Sequence, residues 1–203
     1  MTLRLVTKAW KRVADAFIDE GVESGEIMVH DGYDISSIGG WKYRRERRKL
    51  ATRVIFLLNI TKVGQHECHW AVNLFVVDIP EGVQRFGHLA FRGCSSLTTI
   101  SFPTTLTFIG GYAFCDCSSL DNVDLLHTNL QKIGGDVFWD CSELKSMTIP
   151  DSLQTLGCKV FTNCFKLVPS SIDVSEDNDV DLLSPEVVLI SEVVTRLRSL
   201  QNS

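Results

Sequence analysis

Residues 66–69 read HECH and combine the imidazole, thiol and carboxyl groups that bind zinc in proteins. In the metalloprotease pattern H-E-x-x-H, two histidines lie four residues apart on one face of a helix. Here His66 and His69 are only three residues apart, and no Cys-x-x-Cys pair elsewhere could complete a zinc site. We therefore predict a degenerate turn of a capping unit, no bound metal and no cofactor. A metal-binding or enzymatic protein that uses this segment is the least favoured alternative.

The cysteines are the second group of residues with chemical potential. Two of them, Cys115 and Cys158, align with residues such as Arg92 and His88 in neighbouring units, and we predict both to be exposed. Four others recur at intervals of 23, 24 and 23 residues: Cys94, Cys117, Cys141 and Cys164. This regular spacing favours packing, so we predict a buried ladder of inert thiols. Zinc binding and disulfides remain the alternatives for these four.

Catalytic motifs are the next class to consider. The glycine pairs at 39–40, 110–111 and 134–135 do not fit the phosphate-binding pattern G-x-x-x-x-G-K-[ST]. The sequence contains no G-x-S-x-G turn that would present a nucleophilic serine. We therefore predict a non-catalytic protein, with no catalytic residue and no small-molecule substrate.

Three further residue types keep the period of the cysteines and reveal a repeat. They are the glycines Gly87, Gly110, Gly134 and Gly157, the phenylalanines Phe91, Phe114, Phe138 and Phe161, and the leucines Leu97, Leu120, Leu144 and Leu167. Four residue classes at one period of about 23 residues indicate a solenoid. The single longer interval places an extra residue near 125–126, where a loop absorbs it.

Each unit is predicted to contain three segments. The first, LTTISFP at 97–103 and its relatives, alternates apolar and polar residues as strands do, and proline ends two of the copies. The second, LTFIG and its relatives, ends in a glycine that we expect to adopt positive φ at a tight corner. The third, GYAFCDC and its relatives, is expected to be a short helical turn with its phenylalanine in the core.

The repeat continues upstream in a degenerate form. Subtracting 23 residues from Gly87 and Leu97 gives Gly64 and Leu74, so residues 60–80 form a fifth unit that we expect to cap the array. One more step gives a first strand near Val54 and Phe56. The segment GEIMVHDGYD predicts a further strand and turn.

The consensus C-x-x-L-x-x-I-x-x-P-x-x-L-x-x-I-G-x-x-A-F, over residues 53–174, resembles the BspA-type leucine-rich repeat, also described from treponemal proteins. The chain departs from it where His127 replaces a proline, and where Glu67 and Cys68 replace the Ala-Phe pair. The resemblance implies an α/β leucine-rich-repeat solenoid of short strands and helical turns. By analogy it implies protein binding, or a cell-surface adhesin as the alternative.

Solvent-facing positions on the predicted strands should align from unit to unit, since side chains alternate between the two faces of a strand. We call this set the polar strip and predict that it contacts a protein partner, whose identity the sequence does not reveal. Its members are Val76, Asp78, Thr99, Ser101, Asn122, Asp124, Ser146 and Thr148. The alternative is a merely solvated face.

Three regions are predicted. Residues 1–50 contain a helix at 3–19, the short strand and turn, and the basic run KYRRERRK at 42–49, which is either a solvated segment or a nuclear-localisation or nucleic-acid patch. Residues 51–174 form the solenoid. Residues 175–203 form an acidic linker and an amphipathic helix that begins near Ser184 and Pro185 and caps the stack.

Composition narrows the class of protein. A net charge of −5 argues against a dedicated nucleic-acid binder. The longest apolar run, VIFLL at 54–58, is far below the ~20 residues of a membrane span. The N-terminus lacks the apolar core of a secretory signal, which weighs against the adhesin alternative, and the cysteines favour a reducing compartment. We expect an intracellular protein of the cytoplasm, with the nucleus as the alternative.

Overall fold

The computed structural model describes residues 28–30, 49–56, 60–167 and 172–173. Lys49 and Leu50 have helical backbone. The strands are β1 (Met28–His30), β2 (Arg53–Phe56), β3 (Lys62–Val63), β4 (Val76–Asp78), β5 (Arg85–Phe86), β6 (Phe108–Ile109), β7 (Asn122–Asp124), β8 (Lys132–Ile133), β9 (Ser146–Thr148), β10 (Thr155–Leu156) and β11 (Ile172–Asp173).

The strands stack as parallel ladders, one unit per rung. A five-stranded sheet has the order β3-β5-β6-β8-β10, and two three-stranded sheets have the orders β1-β2-β4 and β7-β9-β11. Phe86 pairs with Ile109, and Ile109 pairs with Ile133, so residues one repeat period apart are neighbours in the sheet. The predicted solenoid is therefore confirmed, and the strands predicted near Val54 and at Met28–His30 are present.

The strand predicted at 97–103 does not form, and this separates the two three-stranded sheets. Ile100 still faces the core, and Asp121 N–H still donates to the Thr98 carbonyl at 3.1 Å. Phe102 occupies a position that Ile79 and Ile149 hold in other units. Its ring packs at 6.0 Å from Phe86 and 5.8 Å from Phe114, centroid to centroid. The segment therefore keeps its contacts with the core although it forms no strand.

The predicted helical turns are wrong. Each unit instead contains a six-residue turn. In all but the last described unit, alternate amides of the turn bond the next unit, where an α-helix would have bonded within itself. Phe114 N–H donates to the Val137 carbonyl at 3.0 Å, and the amides two residues before and after it bond the next unit in the same way. The second and sixth residues have left-handed backbone: His66 and Trp70, Leu89 and Gly93, Tyr112 and Asp116, Asp136 and Asp140, Lys159 and Asn163.

The repeated glycines serve a different purpose from the one predicted. Gly87, Gly110, Gly134 and Gly157 do not have positive φ. They bring neighbouring backbones together: a Cβ added at Gly110 would lie 2.7 Å from the carbonyl carbon of Gly87, and one at Gly157 would lie 2.3 Å from that of Gly134. Real Cβ atoms do not approach backbone this closely, so only glycine fits.

The core is a column of aromatic rings enclosed by the sheets and turns. Phe91 stacks on Phe114 with centroids 5.2 Å apart and planes inclined by 8°. Phe138 continues the column at 5.6 Å from Phe114 and 6.0 Å from Phe161. All four rings are buried, as are the repeated leucines. The inward direction predicted for the phenylalanines is confirmed.

Several predictions concern segments outside the described residues. They are the helix at 3–19, the basic run at 42–49 apart from Lys49, and the acidic linker and capping helix within 175–203. Within the described residues, no helix has the length and apolar character needed to cross a bilayer.

Candidate functional site

Six members of the polar strip occupy solvent-facing positions of the two three-stranded sheets, and Thr99 and Ser101 occupy the equivalent positions of the unit between them. Each of its eight side chains is at least partly exposed. Pairing of β7 with β9 places Asn122 beside Ser146 and Asp124 beside Thr148, so equivalent positions of successive units are neighbours on the surface. Successive rungs of a parallel sheet are about 4.7–4.9 Å apart, so the strip is a row of closely spaced side chains.

Hydrogen bonds join neighbouring members of the strip at one end. Ser146 Oγ donates to Asn122 Oδ1 at 2.8 Å, and Thr148 Oγ1 donates to Asp124 Oδ1. These side chains are consequently held in fixed positions before any partner arrives. At the other end, Asp78 is paired with Arg53, whose Nη2 lies 2.6 Å from Asp78 Oδ2.

The middle of the strip is built differently. Thr99 and Ser101 are both exposed and lie in the unit that forms no strand. The backbone here is held by the core side chains of Ile100 and Phe102. The strip therefore has two ends that lie in sheets and a centre that lies in no strand.

Asp124 and Thr148 also anchor the loop at 125–126, which contains the one extra residue of the repeat. Thr148 Oγ1 accepts hydrogen bonds from the backbone amides of Leu125 and Leu126 at 3.0 and 3.1 Å. The carboxylate of Asp124 accepts hydrogen bonds from Thr148 Oγ1 and from Leu126 N–H. These bonds stabilise its charged form and hold the pKa of Asp124 below its ordinary value. The loop predicted at 125–126 is present, with Leu125 buried and Leu126 exposed.

Two exposed apolar side chains beside the strip were not predicted. Phe75, adjacent to Val76, is 53% exposed, and Leu126, two residues after Asp124, is 51% exposed. Other units place Thr98, Asp121 and Lys145 at the position of Phe75. An aromatic residue in an otherwise polar outward position was a signal available in the sequence.

A model of the BspA type leucine rich repeat region matches six copies over residues 61–179, more than half of the 203-residue chain. The chain belongs to the BspA-type leucine-rich repeat family. The resemblance drawn from the consensus is thereby confirmed.

Solved structures of bacterial leucine-rich repeat proteins share the fold. The T. pallidum leucine-rich repeat protein (TpLRR) is 25% identical, with a TM-score of 0.54, over 71% of this chain and 79% of that chain. A leucine-rich repeat protein from Eubacterium ventriosum ATCC 27560 is 22% identical with the same TM-score, over 74% of this chain and 37% of that chain. No curated protein matches the chain.

The cysteine ladder of this leucine-rich repeat chain is structural. The four repeated cysteines are buried free thiols, as predicted. Each thiol donates to a backbone carbonyl of the preceding unit: Cys94 to Cys68, Cys117 to Phe91, Cys141 to Phe114 and Cys164 to Phe138, at 3.1–3.2 Å. Burial raises the pKa of Cys94 and Cys141 well above the ordinary thiol value, so these groups are protonated and poor nucleophiles.

The two remaining predictions for cysteine have opposite outcomes. Cys158 is exposed, as predicted. Cys115 is buried, so its predicted exposure is wrong. Arg92 and Trp139 hold the equivalent position in the adjacent units. Their long side chains extend to the solvent, whereas the short side chain of Cys115 is covered. Burial raises the pKa of Cys115 to about 12, which keeps the thiol protonated at neutral pH.

The HECH segment lies in the six-residue turn of the degenerate unit, as predicted. The Nδ1 atoms of His66 and His69 are 3.4 Å apart, while Glu67 and Cys68 are buried. In the part of the chain that the structure describes, no group of three or more His, Cys, Asp and Glu side chains is arranged to hold a metal ion.

Proposed function

We propose that this leucine-rich repeat protein is a non-catalytic interaction module that contacts a protein partner through the polar strip. The observation that carries the proposal is the exposed Phe75 at the end of a row of aligned polar side chains. Protein interfaces combine aromatic anchors with a polar periphery, and the anchors supply most of the binding energy.

The charges and polar groups of the strip indicate which kind of partner surface would complement it. Asp78 and Asp124 lie within the strip, and Asp121 lies in the column of Phe75, where Lys145 pairs with it at 3.4 Å. Hydroxyl and amide groups occupy most remaining positions. A partner surface with hydrogen-bond donors and a pocket for one aromatic ring would complement this face.

The experiment compares two matched double variants as bait in native lysate. Asp78→Lys/Thr99→Lys alters the strip, and Glu81→Lys/Thr104→Lys adds the same charge in the same two units outside it. In each variant one exposed carboxylate is lost with its contacts, those of Asp78 with Arg53 and those of Glu81 with the amide and hydroxyl of Thr104. Such exposed contacts contribute little to stability, so both variants should fold.

Proteins captured by each bait are identified by mass spectrometry and then tested by direct binding. We expect a partner that binds wild type and the control variant but not the strip variant. A partner that all three proteins capture would place the site elsewhere. A partner lost by both variants would indicate a general effect of net charge.

A further inference from the structure

The five-stranded sheet presents a second regular surface on the outside of the stack. In four of its two-residue strands the second side chain is buried and the first is at least partly exposed. Register aligns these outward residues in successive units: Lys62, Arg85, Phe108, Lys132 and Thr155. We call the first four the basic strip.

Three cations share this strip with no acidic side chain in the same column. Four cations elsewhere in the described residues are paired: Arg53 with Asp78, Arg92 with Asp116, Lys145 with Asp121 and Lys166 with Glu143, whereas Lys159 forms no ion pair with a described residue. Lys62, Arg85 and Lys132 form no ion pair with any described residue. Lys62 and Arg85 lie on adjacent rungs, where like charges repel each other.

An anion bound across the rungs would relieve this repulsion. Arg85 and Lys132 are separated by two rungs, or about 9.4–9.8 Å. In a polyproline II segment, which has three residues per turn, carboxylates three residues apart lie on one face and are separated by about 9.3 Å along the axis, close to that spacing. The exposed amides of Gln84, Gln131 and Gln154 lie in the neighbouring positions of the units and could bond the main chain of such a peptide.

We propose that the basic strip binds an extended acidic peptide segment of a partner protein, on a face separate from the polar strip. The strip suits a peptide better than single-stranded nucleic acid. Base stacking needs free aromatic faces, whereas the guanidinium of Arg85 covers Phe108 at 4.3 Å from the ring centroid. A chain of net charge −5 also lacks the broad positive surface of nucleic-acid binders.

The test measures fluorescence anisotropy of a labelled peptide of ten glutamates against the full chain at low salt. Arg85→Glu/Lys132→Glu reverses the strip, and Lys159→Glu/Lys166→Glu changes net charge equally elsewhere. We expect the strip variant to weaken binding at least about tenfold and the control variant to weaken it less than about threefold. Should the reversal variant fail to fold, Arg85→Gln/Lys132→Gln replaces it, with an expected weakening of about three- to tenfold. Added salt should weaken the wild-type interaction.

Four results would overturn the proposal. The first is unchanged binding by the strip variant, with loss instead in a variant of the basic run at 42–49. The second is equal loss in the strip and control variants. The third is tighter binding of a ten-thymidine single strand, lost in the strip variant. The fourth is no peptide binding by wild type.

The chain's own acidic segment is the remaining candidate occupant. Changing Glu176, Asp177, Asp179 and Asp181 to the corresponding amides tests it. Peptide binding that appears only in that variant would show that the segment occupies the strip. This result would also overturn the proposal that a separate partner binds there. The variant Asp78→Lys/Thr99→Lys should retain peptide binding, so the outcomes for the two faces are distinguishable.

Discussion

The thiol of Cys117 donates a hydrogen bond to the backbone carbonyl of Phe91, in the preceding unit, at 3.2 Å. The same bond recurs along the cysteine ladder and explains why these positions hold cysteine and not only a small apolar residue. The sulfur fills space between units and also gives a carbonyl of the preceding unit an additional donor.

Replacing Cys117 should therefore destabilise the stack. Cys117→Ala removes the donor and leaves a small cavity, and we expect it to lower the free energy of unfolding by about 1–2 kcal/mol. Urea denaturation measures the change. Cys158→Ala is the matched control, because Cys158 is exposed, and should change stability by less than about 0.5 kcal/mol. Equal effects of the two changes would contradict a structural role for the ladder.

The aromatic column makes a larger contribution. Phe114 stacks between Phe91 and Phe138, and Phe114→Ala should lower the free energy of unfolding by about 3–5 kcal/mol. Thermal denaturation followed by circular dichroism gives the comparison with Thr99→Ala, an exposed position that should have almost no effect. An unchanged melting curve for Phe114→Ala would show that the register of the repeat is wrong.

The glycine pair at 110–111 provides an internal comparison. A Cβ at Gly110 would lie 2.7–2.9 Å from backbone atoms of Gly87 and His88, whereas one at Gly111 would come no closer than 3.3 Å to any atom. We expect Gly110→Ala to lower the free energy of unfolding by more than about 2 kcal/mol, and Gly111→Ala by less than half as much. Equilibrium urea titrations of both variants test this order. The reverse order would contradict the close approach of the units at Gly110.

These glycines show how far the sequence was informative. Their period predicted the solenoid and the position of each unit, because packing of identical units requires identical residues at the contacts. The reason for glycine was predicted wrongly, since both a positive φ and a close backbone approach exclude a side chain. The sixth residue of the turn, which is left-handed, is Gly, Asp or Asn in four of the five turns, as this conformation favours, whereas the left-handed second residue is as varied as Tyr112 and Lys159.

The turns and the first strand segment were difficult for related reasons. A turn such as GYAFCDC was predicted to be helical, but alternate amides of it bond the next unit, and the pattern within one unit does not reveal bonds between units. The segment at 97–103 has strand alternation and places Ile100 in the core, yet no strand forms, because alternation reports which side chains are buried and not whether the backbone pairs. The polar strip was located by alternation alone, whereas its use as a binding face remains a prediction.

Asp124 offers a test by pH. Its pKa is lowered mainly by the hydrogen bond from Thr148, so the stabilisation it provides is present above the unfolded pKa and lost as pH falls through the lower folded value. Thr148→Val should raise the pKa of Asp124 towards its ordinary value, measured by carboxyl NMR titration. Ser146→Ala, which removes the neighbouring hydrogen bond to Asn122, should leave it unchanged. An unchanged Asp124 pKa in Thr148→Val would contradict the assignment.

The most direct test of the central claim is the dissociation constant of the captured partner, measured by titration calorimetry for four purified proteins. They are wild type, Phe75→Ala, Asp78→Lys/Thr99→Lys and the control Glu81→Lys/Thr104→Lys. We expect Phe75→Ala and the strip variant each to weaken binding at least about tenfold with unchanged folding, and the control variant to bind like wild type. Wild-type affinity in both Phe75→Ala and the strip variant would contradict the polar strip as the binding face.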